Sequence, residues 1–194
     1  MTTFVISDTH FGHSNILRFE PKFRKFMNVQ EMDEYMIRQW NDVVKQDDIV
    51  YHLGDVAIGS PLKYVQRLNG HKILIKGNHD NHVGIQEFID AGFEDVMAMV
   101  KLKGFILTHC PMHPEELDYY PKYKNIHGHI HSRLVLLNGQ EMDYRYVNVS
   151  VEHTKFKPIN LDLIHKYQES INTPENISHV IQKVKEDRER NSKK

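Results

Sequence analysis

This chain has little that would tie it to an oxidising compartment, a membrane or a polyanion. One cysteine, Cys110, stands in 194 residues, which excludes an internal disulfide and suits a reducing compartment. No apolar stretch is long enough to span a bilayer, and with Asp8 and His10 following the first apolar run so closely no export signal is expected. The cytoplasm is the expected location, with no membrane partner. A formal net charge of -1 and a pI near 6.9 leave no global field to draw the chain to DNA or RNA, so strong nucleic-acid binding is not expected. The basic clusters that exist, Lys22 with Arg24 and Lys25 and the tail from Arg188 to Lys194, read as solvated surface.

What is plentiful is histidine, with 14 residues. Neutral imidazole is the commonest nitrogen ligand for transition metals, so this enrichment asks for a metal explanation. The length fills one core and is short for two. We expect one domain over 1–172, followed over 173–194 by an amphipathic helix and a charged tail.

Strands and helices alternate early. Thr3 to Ser7 reads as a strand. Asn28 with Glu31 resembles a capping box before a helix from about 29 to 45, in which Met32, Met36, Trp40 and Val43 keep helical spacing. Ile49 to Leu53 is a second strand; Ser60-Pro61 opens a short helix through Leu62, Val65 and Leu68; Lys72 to Lys76 is a third strand, and Ile85 to Ala91 a brief helix. Hairpins follow: Val96 to Leu102 against Phe105 to Thr108 around Lys103-Gly104, and Leu134 to Leu137 against Met142 to Val149 around Asn138-Gly139. Helical spacing returns over Leu161 to Ile171 and Pro174 to Arg190, where Ile177, Ile181 and Val184 form a stripe that either lies on the body or makes a homo-oligomer contact. The pattern suggests α/β, α+β-like, with a mixed sheet or two stacked sheets and outer helices.

The chemistry-bearing residues stand in five short groups: Asp8-Thr9-His10, Gly54-Asp55, Gly77-Asn78-His79-Asp80, Thr108-His109 and Gly128-His129-Ile130-His131. Most follow β-type runs, which is how a strand delivers polar groups to its carboxyl end. Asp8 and His10 are two apart, as are His129 and His131, so in extended backbone each pair faces one way. On these motifs the chain resembles the calcineurin-like metallophosphoesterase superfamily, its compact bacterial and phage branch, over most of residues 1 to 165.

The resemblance implies a four-layer αββα sandwich of two mixed β-sheets flanked by helices. It implies two divalent metal ions, one held by Asp8, His10, Asp55 and His131, the other by Asp55, Asn78, His109 and His129. Manganese is the favoured ion, with Fe, Ni, Co or Zn as alternatives that suit the same nitrogen and oxygen donors. Two such ions exceed the charge of Asp8, Asp55 and a bridging hydroxide, so the site stays positive and recruits an anionic phosphate. The implied reaction is hydrolysis of a phosphoester by that hydroxide, with His79 as general acid and Asp80 orienting or charging it. His13 and His82 are candidates for substrate contact. His52, His113, His127 and His153 suit supporting or packing roles, and Cys110 a small buried filler.

A small phosphodiester or nucleotide is the expected substrate. A phosphomonoesterase acting on a nucleotide or phosphoprotein, or a non-catalytic scaffold, are the alternatives. Tyr119, Tyr120 and Tyr123 alternate with Lys122 and Lys124 in a segment that either stacks a base beside a phosphate or packs as a loop.

Overall fold

The first strand already shows how the layers arise in the computed structural model, which describes residues 1–166. β1 (Thr3–Ile6) turns Phe4 and Ile6 toward one apolar cluster and Val5 toward another, the alternation of a strand buried on both faces. After it come α1 (Ile16–Phe19), α2 (Val29–Val43), β2 (Ile49–His52), α3 (Leu62–Val65), β3 (His71–Ile75), a single 3-10 turn over His79–His82, α4 (Ile85–Asp90) and β4 (Phe93–Met97). The second half adds β5 (Met99–Leu102), β6 (Phe105–Thr108), α5 (Pro114–Asp118), β7 (Lys124–His127), β8 (Leu136–Leu137), β9 (Glu141–Met142), β10 (Tyr146–Asn148), α6 (Val151–Thr154), β11 (Ile159–Asn160) and α7 (Leu161–Lys166).

Two mixed sheets result. One runs β11-β1-β2-β3-β4, with β1 to β4 parallel and β11 antiparallel on β1. The other runs β10-β7-β6-β5, with only β5 antiparallel. Three apolar clusters glue the layers in order. Met32, Met36 and Trp40 of α2, Val65 of α3 and Phe88 of α4 cover Phe4, Ile6, Val50 and Leu74. Val5, Leu53 and Ile75 meet Phe105, Leu107, Ile126 and Val147 between the sheets. Ile106 and Tyr146 on the outer face of the second sheet pack against Leu117 of α5. The α/β architecture of two mixed sheets with helices outside is therefore present.

α2 begins as its sequence dictates. Asn28 accepts a hydrogen bond from the Glu31 amide at 2.9 Å, while the Glu31 carboxylate reaches back to the Met27 amide at 2.7 Å. From inside α2, Asp33 accepts the Gly12 amide at 3.1 and 3.2 Å and ties the helix to the first loop.

Three expectations are corrected. The segment from Val96 to Leu102 is two strands, because the chain leaves the first sheet after Met97 and enters the second at Met99. The segment from Met142 to Val149 also divides: β9 closes a short hairpin with β8, whereas β10 runs parallel to β7. α3 stops at Val65, short of Leu68. Both expected tight turns are present, with left-handed pairs at Lys103-Gly104 (φ 48° and 80°) and Asn138-Gly139 (φ 52° and 73°). The helix expected over Pro174 to Arg190, its apolar stripe and the tail lie outside the described residues.

Candidate functional site

Each motif sits where a strand has just ended. β1 delivers Asp8 and His10, β2 Asp55, β3 Asn78 and His79, β6 His109, and β7 His129 and His131. Neighbouring loops are stitched together by backbone bonds: Asp8 N–H to Gly54 C=O and His10 N–H to Asp55 C=O, each 3.0 Å, and Gly128 N–H to His109 C=O at 2.8 Å.

The backbone here is not extended, as the two-apart spacing had suggested. Asp8, His10, Asp55, His129 and His131 all lie in the left-handed region, with φ of 58°, 49°, 57°, 69° and 50°. Each costs on the order of 1 kcal/mol relative to an ordinary conformation, and such strain persists where surrounding contacts over-determine it. The side chains still converge, through tight turns rather than through a strand's pleat. Two glycines let the loops close: a Cβ on Gly128 would collide with the Ser7 hydroxyl and the Asp8 carboxylate, and one on Gly77 with the Asp55 carboxylate.

The seven expected donors form two groups sharing one carboxylate. In the first, Asp8 Oδ1 lies 4.0 Å from His10 Nε2 and 3.9 Å from His131 Nε2, and the His10 and His131 rings stack with centroids 5.1 Å apart. In the second, Asn78 Oδ1 is 2.9 Å from both His109 Nε2 and His129 Nδ1, and those two nitrogens are 3.2 Å apart. Asp55 Oδ2 stands between them, 3.6 Å from His10 Nε2 and 3.5 Å from His109 Nε2.

Whether cations fit is decided by the lone pairs. His109 Nδ1 donates to the Leu53 carbonyl at 2.7 Å, so in the neutral ring Nε2 carries a lone pair, and it faces the Asn78 and Asp55 oxygens. His10 Nε2 is buried and has no hydrogen-bond partner among the described residues. Burial lowers the pKa of His10 well below the usual range, with the charge of Arg24 adding to it, so the ring is a neutral donor. Burial also raises the pKa of the enclosed Asp8 carboxyl, with His131 and His109 opposing. Electron pairs gathered without protons are what divalent cations of mixed nitrogen and oxygen preference satisfy. The residues fit the expected ions.

His79 and Asn78 are exposed at the rim. The His79 ring lies 5.3 Å from that of His10, edge-on, and its backbone N–H donates to Asp55 Oδ1 at 2.9 Å. Asp80 is buried beside them. Its carboxylate accepts the amides of Asp55 and Gly77 at 2.8 Å and of Val56 at 2.9 Å, so it clamps the β2 and β3 loops together and is a positioning residue. Three N–H groups thus occupy most of the acceptor sites of this buried carboxylate. His13 joins the cluster, with its Nδ1 3.3 Å from His10 Nδ1 and its ring 6.4 Å from that of His79. His82 is exposed at the end of the 3-10 turn, and among the described residues no ring contact brings it into the cluster.

Cys110 is exposed rather than a buried filler, and its sulfur lies within 4.8 Å of ring nitrogens of His109 and His129. Tyr120 and Tyr123 resolve toward packing, against Ile106 and Leu117 with Lys101 over both rings, while Tyr119 projects into solvent. Among the described residues no helix is long and apolar enough to cross a membrane.

Sequence reasoning missed the residues behind the donors. Arg24, expected at the surface with Lys22 and Lys25, is 1% exposed and pairs with the buried Glu152. Burial raises the Glu152 pKa, but Arg24 and a hydrogen bond from His131 outweigh it and bring it to about 2. Ser150 Oγ donates to Asp8 Oδ2 at 2.9 Å. A basic residue well downstream of the first motif was the only signal, and its two lysine neighbours, both exposed, masked it. His52 and His127 are supports: His52 accepts the Gly54 amide at Nδ1 and meets the Thr9 hydroxyl at Nε2, and His127 donates to the Gly128 carbonyl.

The profile of the calcineurin-like phosphoesterase superfamily domain matches residues 1–159. Protein MJ1445 of Methanocaldococcus jannaschii is 34% identical over 174 residues, covering 84% of this chain and 89% of that protein. The gene 66 protein of Mycobacterium phage L5 is 26% identical, covering 77% and 86%. Among solved structures, protein AQ665 of Aquifex aeolicus superposes with a TM-score of 0.65 at 29% identity, covering 85% of this chain and 98% of that one.

Proposed function

Because this chain belongs to the calcineurin-like phosphoesterase superfamily, we propose that it hydrolyses a small phosphodiester or nucleotide with two divalent ions, manganese favoured, shared through Asp55. The observation that carries the reading is the position of Asp55 Oδ2, within 3.6 Å of donors from both groups. When bound, the ions supply a water acidic enough to attack at neutral pH and neutralise the phosphoryl oxygens. Asp8, His10, His131 and Asp55 hold one ion, and Asp55, Asn78, His109 and His129 the other.

His79 donates the proton to the departing oxygen. It is exposed, sits edge-on to His10 and is held in place by its backbone bond to Asp55. His13 flanks it as a contact for a phosphate oxygen. Asp80 keeps the loops bearing Asp55 and His79 in register and takes no part in proton transfer. Phe19, 68% exposed, stands edge-on to His13 with centroids 6.0 Å apart. An aromatic ring at that flank supports an ester that carries a base or another ring. The open rim at Asn78 and His79 suits a substrate approached from solvent.

The test is turnover of bis-p-nitrophenyl phosphate and p-nitrophenyl phosphate with manganese and with chelator. The diester should be cleaved faster, chelator should abolish turnover, and His79→Ala should lower kcat by about 10²–10⁴-fold. Preference for the monoester would favour the phosphomonoesterase reading. Absence of turnover of any phosphoester at saturating manganese would sink both.

A further inference from the structure

Behind the metal donors lies a buried couple, Arg24 and Glu152, 128 residues apart in sequence with fully enclosed side chains. Arg24 Nε donates to Glu152 Oε1 at 2.7 Å, and its two terminal nitrogens donate to the Thr9 carbonyl at 3.0 Å and the Asp8 carbonyl at 2.6 Å. Glu152 Oε1 also accepts from His131 Nδ1 at 3.2 Å. Its other oxygen has no partner among the described residues.

A buried ion pair is a poor device for stability, since desolvation offsets the attraction unless the remaining polar atoms are all satisfied. The unpartnered Glu152 oxygen fails that condition, so stability alone does not account for the pair. Geometry does. Asp8 and His10 hold positive φ on either side of Thr9, and a planar guanidinium gripping the carbonyls of Asp8 and Thr9 opposes relaxation of that turn. The same Glu152 oxygen fixes the proton of His131 on Nδ1, leaving the Nε2 lone pair toward Asp8 Oδ1.

We propose that Arg24 and Glu152 form a positioning couple for one metal subsite, that of Asp8, His10 and His131, setting its backbone turn and the tautomer of its last ligand. The couple acts through one half of the centre, because beyond a contact to Met32 Sδ its bonds reach Asp8, Thr9 and His131, and among the described residues none goes to Asn78, His109 or His129. This rests on the reading of the cluster as a metal centre.

Two measurements test it. Calorimetry with manganese gives the affinity of each subsite, and nitrogen NMR of metal-free protein at pH 8.5 reports which nitrogen of His131 is protonated. Glu152→Ala should weaken one subsite by roughly 10- to 100-fold, leave the other within about threefold, and mix the His131 tautomers. Turnover lost at low manganese should return at high manganese. Glu152→Gln, which keeps an acceptor for both partners, should retain the Nδ1–H tautomer. Arg24→Lys preserves the charge but cannot span three acceptors as a planar fork, and should give the same one-sided weakening even if the alanine variant fails to fold. Unchanged affinities in Arg24→Lys, equal losses at both subsites, or an unaltered tautomer in folded Glu152→Ala would overturn the proposal. Wild-type protein that binds no manganese would remove the metal reading itself, and the tautomer measurement would still judge the couple.

Discussion

Gly128 is where the tolerance of the site is narrowest. A Cβ there has nowhere to go, because the atoms it meets are the hydroxyl of Ser7 and the carboxylate of Asp8, both buried and both already bonded. Gly128→Ala must therefore displace a predicted metal ligand, and overpacking of this kind costs about 1–3 kcal/mol. Urea unfolding should show that loss, and manganese affinity should fall with it; a variant matching wild type in both would mean the loops are looser than the contacts indicate. At this scale the five motifs were legible from residue type and place after a strand, while the assignment of their seven donors to two ions came from the family resemblance. Arg24 was not legible, since its burial depends on a carboxylate 128 residues away. Asp80 was named, but the three amides from two loops that it accepts were not foreseen, because neither loop's approach can be seen in one dimension.

Among the elements, α2 was the most legible. Its cap and its apolar spacing at Met32, Met36 and Trp40 follow from local chemistry, and the helix carries its own reason to form. Asn28→Ala removes the side-chain acceptor for the Glu31 amide and should lower stability by about 1 kcal/mol without altering turnover per folded molecule. A thermal melt beside the specific activity checks this. A fall in activity with unchanged melting would place α2 closer to the chemistry than the structure does. Strand identity was less legible. Val96, Met97, Met99 and Val100 look like one run, yet the chain changes sheets between Met97 and Met99, a decision made by which sheet offers a free edge. β7 went unrecognised because Lys124-Asn125-Ile126-His127 lacks apolar character, although Asn125 is buried with its amide donating to Ile106 and Thr108.

At the scale of the whole molecule, acid should destabilise the fold through histidines that are buried neutral. His52 is held down to a pKa of about 3 by burial and by the charge of His109, and His127 to about 4, chiefly by burial, against an ordinary value of 6.5. Lowered folded-state values mean that the unfolded chain takes up protons more readily. Their stabilisation is complete above about pH 6.5 and is lost as pH falls toward 4 and 3, with roughly 2 kcal/mol at stake for each at pH 5. In metal-free protein, urea midpoints between pH 7.5 and 5 should fall less steeply for His52→Gln than for wild type; the shifts of the other titrating groups, Asp8, His10 and Glu152 among them, occur in both and cancel. Parallel slopes would contradict a neutral buried His52.

The central claim is that two cations share Asp55. Its most direct measurement is the manganese content and anomalous scattering of crystals grown with the metal, read beside the same crystals of Asp55→Ala. The account predicts two ions in the wild-type protein, one among Asp8, His10 and His131, the other among Asn78, His109 and His129, with Asp55 touching both. In Asp55→Ala at least one ion should be lost. Ions bound elsewhere, or a pair unaffected by removing Asp55, would contradict it.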